Sequence, residues 1–205
     1  MKVQLFSSVS ILLLLTVSSH LLAGDNDGFK SIFDGKTLKG WKAPNMTWGG
    51  DVADFELKAK FRLAKNRGNS GIQFRSRIDS KGMGIGYQAD ILPGGPWCGA
   101  LADEYTGRKP LMVPNGHKTV VDADGKRTCT PAGKPVSLRK RGEWNQYHII
   151  ARGHRMILKI NGQVSAEFID NDAKKFAPSG ILALQLRSGP SMKVQFKEIL
   201  LKKLP

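Results

Sequence analysis

The chain predicts an all-β fold, an antiparallel β-sandwich, on three observations. Apolar and polar residues alternate with a period of two, as where Phe55, Leu57, Ala59 and Phe61 interleave with Glu56, Lys58, Lys60 and Arg62. Gly, Pro, Asn and Asp break the alternating segments at short intervals, with Asn161-Gly162 the strongest hairpin signal. No convincing amphipathic helical period of useful length stands between them. Many short strands, closely spaced turns and one core describe two sheets packed face to face.

The chain begins with Lys2, an apolar run from Val9 to Val17 and a small-residue end at Ala23-Gly24. A basic start, a short apolar stretch and small residues predict a secretory signal peptide over residues 1–24, too short to span a bilayer. One domain then fills residues 25–205, long enough to bury a real core. The expected location is secreted or periplasmic, with no stable membrane anchor after cleavage.

Lys and Arg number 32 against 17 Asp and Glu, a net charge of +15, and +14 once Lys2 is removed (15 − 1). Such an excess raises the question of a nucleic-acid partner. The bases are spread mostly as single residues on strand faces, however, and no helix-turn-helix or zinc-finger pattern organises them. No nucleic acid is expected; an acidic polysaccharide suits the same electrostatics better.

In chain order, Gly28–Lys36 reads as a short strand closed by the Asp34-Gly35 turn, and Leu38, Trp41 and Trp48 lie in a loop-like stretch. Asp54–Leu63 is the first long strand. In Gly71–Ile78, Ile72, Phe74 and Ile78 share one face and Gln73, Arg75 and Arg77 the other. In Ile85–Ile91, Ile85, Tyr87, Ala89 and Ile91 oppose Gln88 and Asp90. From Leu92 to Arg141 six prolines break the pattern, leaving only His117–Asp122 as a short strand. An irregular region that long is usually functional or tied down. Trp144–Ala151, His154–Ile160, Gln163–Phe168, Ile181–Leu186 and Met192–Leu204 complete the strands.

The polar rows carry the candidate site. Gln73, Arg75, Gln88, Asp90, Gln185 and Arg187 are expected on one sheet face, with Asp103 and Glu104 on its rim; these groups hydrogen-bond to sugars. Trp97, in Gly95-Pro96-Trp97-Cys98, is a candidate stacking surface for a pyranose, and His117 sits where it can reach a cleft mouth. Cys98 and Cys129, a lone pair in an oxidising compartment, are expected to form a disulfide. Its loop of about 32 residues is worth roughly 3–4 kcal/mol in the chain-entropy account.

Taken together, Phe33-Asp34-Gly35-Lys36, Gly40-Trp41, Asn69-Ser70-Gly71-Ile72, Gly86-Tyr87-Gln88-Ala89-Asp90-Ile91 and Asp103-Glu104 follow the order of a known family. Trp144-Asn145, Asn161-Gly162 and Gly180–Leu186 complete the set. The chain resembles the 3-keto-disaccharide hydrolases, long known as a domain of unknown function. The resemblance implies a concanavalin A-like jelly roll and cleavage of 3-keto-glycosides or 3-keto-disaccharides. A non-catalytic, lectin-like carbohydrate-binding module is the alternative. Two departures stand out: only about a dozen residues join Trp41 to Asp54, where relatives have another strand pair, and Arg187 stands where relatives often have His.

A 3-keto group acidifies the C2 proton, so such chemistry needs a base near C2, a stabiliser for the enolate oxygen and an acid for the leaving group. Asp90 or Glu104 is the expected base, Arg75 and Arg187 the candidate oxyanion stabilisers, and Gln73, Gln88 and Gln185 the hydroxyl-binding amides. The metal, if one serves, is undetermined: Ca²⁺ or Mn²⁺ on Asp90, Asp103 or Glu104 with loop carbonyls is compatible with the sequence.

Overall fold

The computed structural model describes residues 27–42, 47–64, 68–138, 142–185 and 193–205; the expected signal peptide, Asn45 of an Asn45-Met46-Thr47 sequon, the basic run Arg139-Lys140-Arg141 and Arg187 lie outside them. The described residues contain fifteen strands and no helix. They are β1 (Lys30–Ser31), β2 (Trp41–Lys42), β3 (Thr47–Val52), β4 (Phe55–Leu63), β5 (Ser70–Ile78), β6 (Gly84–Ile91), β7 (Leu101–Glu104) and β8 (Leu111–Val113). β9 (His117–Val121), β10 (Arg127–Pro131), β11 (Asn145–Arg152), β12 (Arg155–Ile160), β13 (Gln163–Asp170), β14 (Gly180–Leu184) and β15 (Val194–Lys203) follow.

They form two sheets. An eight-stranded sheet runs β1-β15-β4-β11-β12-β13-β9-β10 and a seven-stranded sheet β2-β3-β14-β5-β6-β7-β8. Neighbours are antiparallel throughout, except that β13 and β9 run parallel. The β-sandwich expected from the alternation is therefore what the chain forms.

The strand faces follow from the sequence. Along β4 burial alternates residue by residue, with Phe55, Leu57, Ala59, Phe61 and Leu63 buried. β11 pairs with it in register, Tyr147 opposite Ala59 and Ile149 opposite Leu57, so both apolar rows turn the same way. Asn161 and Gly162 both take positive φ, 52° and 85°, as a two-residue hairpin between β12 and β13 requires. An aromatic chain ties the sheets together: Phe55–Phe74, Phe74–Tyr87 and Tyr87–Phe168 have ring centroids 6.0, 5.8 and 6.1 Å apart. Each such ring, fully buried, contributes on the order of 2–3 kcal/mol through the water it releases.

Three parts differ from the sequence expectation. The stretch around Trp41 and Trp48 is a hairpin rather than a loop, with Trp41 opposite Trp48 in β2 and β3. The region from Leu92 to Arg141 holds β7, β8 and β10 besides the expected β9. Strands of three to five residues are too short to display a period, and the prolines fall between them or at their ends. Finally, Cys98 and Cys129 are not joined: Cys98 is buried within the β6–β7 connection, and Cys129 is exposed on the edge strand β10. The two sulfurs lie on separate elements and are free, so the expected disulfide is absent from this fold.

Candidate functional site

The outward face of the seven-stranded sheet gathers the polar row. Gln73 on β5 stands opposite Gln88 on β6 and Ala183 on β14, while Ala102 on β7 stands opposite Gln88. Small alanines at both ends leave the two amides as its polar centre. Glycines make room for them: a Cβ at Gly71 would lie 2.5 Å from the Gln88 amide carbon, and one at Gly84 would overlap the Gln73 side chain. Both glutamines therefore lie flat on bare backbone, a close approach only glycine permits. The Gln88 Nε2 donates to Asp90 Oδ1 at 3.1 Å and to Gln185 Oε1 at 3.4 Å. Its Oε1 is buried and accepts no hydrogen bond among the described residues, an orphan that a ligand hydroxyl would satisfy.

Beside this row opens a cleft of about 580 Å³ lined by Asp90, Trp97, Glu104, Tyr105 and Arg108 among others. Asp90 comes from the end of β6 and Glu104 from the end of β7. Glu104 stands opposite Gly86, so the two carboxylates are four residues apart along β6, about 13 Å between their backbone positions. Long side chains shorten that gap, yet the register does not set them face to face. Trp97 is half-buried, and Tyr105 is 63% exposed with a φ of 57°. Trp97 and Tyr105 thus line the same cleft as the two acids.

The structure places the remaining candidates elsewhere. Arg75 does not join the polar face. Between Phe74 and Arg77, β5 carries an extra residue opposite Gly86, and Arg75 takes a φ of 46°. This bulge swings the guanidinium off the face and buries it completely. Its Nε donates to Ala53 O at 2.7 Å, Nη1 to Gly153 O at 2.7 Å and Nη2 to Asp54 Oδ1 at 2.8 Å. Arg75 thus clamps the β3–β4 and β11–β12 turns across the two sheets, and its donors are spent on protein oxygens.

Asp103 also points inward, because it is the strand neighbour of Glu104 and stands opposite core-facing Tyr87. Thr106 Oγ1 donates to it at 2.6 Å and Arg108 Nε donates as well. Arg108 Nη1 reaches both oxygens of buried Asp170 at 3.0 and 2.9 Å, and Tyr87 O–H donates to Asp170 at 2.6 Å. Burial pushes the Asp103 carboxyl above its ordinary range, against the pull of Thr106 and Arg108. Burial opposes the charge of Arg108, but Asp103 and Asp170 outweigh it and hold the guanidinium above its usual value. Asp103 is a member of a buried ion cluster, not of the cleft.

His117 opens β9 in the other sheet, its Nδ1 3.0 Å from Asn115 O, and does not reach the cleft lining. Gln185 does sit beside the row, with its N–H on Gly71 O at 2.9 Å. The three carboxylates proposed for a cation do not converge: Asp103 faces inward, and Asp90 and Glu104 are separated along the strand. Among the described residues no group of three or more His, Cys, Asp and Glu side chains could hold a metal ion. The three carboxylates thus do not form a shared Ca²⁺ or Mn²⁺ site. Tyr105 and Arg108 are the lining residues that sequence reasoning missed. Tyr105 carries the signal that selected Trp97, an aromatic beside a glycine-bearing loop next to acids.

Among solved structures, a candidate glycosyl hydrolase from Parabacteroides distasonis is 18% identical, covering 87% of this chain and 89% of its own, with a TM-score of 0.54. A carbohydrate binding module, CBM66, from Bacillus subtilis is 12% identical over 86% of this chain and 96% of its own, also at 0.54. At these identities the likeness establishes the shared sandwich fold. No curated protein sequence matches the chain. A family match does, over residues 28–202, and so spans both sheets and every cleft residue named above. By that match the chain belongs to the 3-keto-alpha-glucoside-1,2-lyase-like domain family.

Proposed function

We propose that this chain is an exported carbohydrate-active protein that cleaves the glycosidic bond of 3-keto-glycosides or 3-keto-disaccharides. One observation carries the reading: Asp90 and Glu104, from different strands, line one aromatic-walled cleft in a member of a lyase-like family. A 3-keto sugar reacts there by elimination. One carboxylate takes the C2 proton, the electron pair forms the enolate at C2–C3, and the C1–O bond then breaks to leave a C1=C2 enone. The other carboxyl gives its proton to the departing oxygen; water added to the enone completes a hydrolysis. Two catalytic groups acting at different atoms do not need the roughly 5.5 Å spacing of a retaining glycosidase pair, which suits the offset register. Trp97 and Tyr105 supply surfaces for the sugar's C–H faces, and Gln73, Gln88 and Gln185 its hydroxyl partners.

The test is product release from 3-keto-glucosides and 3-keto-disaccharides, with and without chelator, by the parent chain, Asp90→Asn and Glu104→Gln. Turnover that falls at least about a hundredfold in each folded variant supports the reading. A second reading, a carbohydrate-binding module without chemistry, is favoured by the loss of Arg75 from the face. Calorimetric binding of sugars with no product under any condition selects it. Export rests on the leader at residues 1–24. Fractionation with N-terminal sequencing tests it: protein confined to the cytoplasm would refute export, and a retained Met1 would refute cleavage of the leader.

A further inference from the structure

A second cleft, about 650 Å³, lies where β5 ends and β6 and β14 begin. Its lining includes Arg77, Lys174, Lys175, Ser179, Thr106 and Asp51. The loop after β7 separates it from the first cleft: Tyr105, Gly107 and Arg108 line one side and Thr106 the other. Its charge is the reverse of the first cleft's acidic pair. Arg75, also in the wall, is already neutralised by Asp54, which leaves three cations against Asp51.

These cations are set in place by the fold. The turn that bears Lys174 and Lys175 is pinned by Asp172, whose Oδ1 accepts from their N–H groups at 2.9 and 3.1 Å. Asp172 in turn lies 3.7 Å from Arg108, the arginine of the first cleft. Lys175 Nζ donates to Thr106 O at 2.9 Å, which fixes its ammonium at the partition. Across the cleft, Gly180 lets β14 press against β5, since a Cβ there would meet Ser76 O at 2.4 Å. Arg77 and Lys174 make no ion pair through their side chains among the described residues. Two unpaired cations, one tethered cation and nearby hydroxyls are an arrangement for anionic oxygens.

We propose that the second cleft is a subsite for an anionic substituent on the saccharide held by the first cleft, a carboxylate or a sulfate ester. The substrate class is then acidic glycosides, an inference that rests on the carbohydrate reading of the first cleft. Ionic attraction at a partly exposed site of this kind is worth roughly tenfold in affinity at low salt.

The experiment is calorimetric titration of the full chain with three matched oligosaccharides, neutral, uronate-bearing and sulfated, at low and high salt. It is repeated with the double variant Arg77→Gln, Lys174→Gln, both exposed positions, and with Asp90→Asn. The expected result is roughly tenfold tighter binding of the uronate or the sulfated sugar than of the neutral one. That preference shrinks at high salt and vanishes in the double variant, while neutral affinity stays unchanged; which acidic sugar wins identifies the anion. Equal affinity for neutral and acidic sugars overturns the subsite and leaves the first cleft standing. A preference that survives in the double variant overturns it as well. Binding of none of the three overturns the subsite, while the first cleft is judged separately by turnover of 3-keto-glycosides in the parent chain and in Asp90→Asn.

Discussion

Replacing Arg75 by Ala should unfold the protein more readily, and its cost can be worked from the contacts. Three charge-assisted hydrogen bonds disappear, each worth about 1.5–3 kcal/mol in a buried setting. Two acceptors belong to exposed residues, Ala53 and Gly153, and Asp54 is 28% exposed, so all three oxygens regain water. That lowers the expected loss to about 2–4 kcal/mol, still in the range for breaking a buried pair. Alanine also inherits a φ of 46°, so Arg75→Gly should be less damaging than Arg75→Ala by about 1 kcal/mol. Urea unfolding followed by tryptophan fluorescence reads both values. With a slope near 2 kcal/mol/M, the alanine variant's midpoint should fall by roughly 1–2 M at unchanged slope. A stability within about 0.5 kcal/mol of the parent, with turnover abolished, would refute the clamp and return Arg75 to catalysis.

Other outcomes follow from groups already placed. Burial lowers the His148 pKa from its ordinary 6.5, Lys58 and Lys159 add to this, and the Glu56 carboxylate 2.8 Å away only partly opposes it. A depressed folded-state value means that the unfolded chain takes up the proton first. Stability from His148 is therefore complete above 6.5 and lost as pH falls below it; melting scans of the parent should show that decline, and His148→Gln should flatten it. A thiol reagent should label exposed Cys129 in the native protein and reach buried Cys98, whose thiol burial pushes up, only after denaturation. Recovery of a linked Cys98–Cys129 peptide would contradict the fold described above. Trp97→Ala and Tyr105→Ala should each weaken sugar binding by roughly two- to tenfold, with melting temperatures close to the parent's. Unchanged affinity in both would remove the aromatic walls from the site.

The sandwich was legible because long strands such as β4 and β11 bury one face and so wrote their period into the sequence, and β6 alternates apolar and polar residues although both its faces are buried. Gln73, Gln88 and Asp90 were legible for the same reason. Arg75 was not, because one extra residue reverses every facing beyond it, and Ile78, expected inward, is 37% exposed. Gly84 and Gly86 were the available signal, since glycine within a strand marks a bulge or a close approach. Asp103 and Glu104 read as a pair in a loop, but on a strand adjacent residues point to opposite sides, and only Glu104 reaches the cleft. Arg108 acquires its meaning through Asp170, 62 residues away in the chain, which no local pattern announces, whereas Tyr105 had the same local signal as Trp97.

Both sheets close through the end of the chain. β15 inserts between β1 and β4, and β14 between β3 and β5, where Ser70 Oγ meets Gln185 O across 115 residues of sequence. A chain emerging from the ribosome can form the β11–β12–β13 hairpins before β14 and β15, but it has neither the seam beside Gln73 nor the strand beside β4 until those two strands are made. Loss of the two removes a central strand from each sheet rather than trimming an edge. Truncation before Gly180 should therefore yield no partly working sandwich, and the cleft and the fold wait on the same two strands.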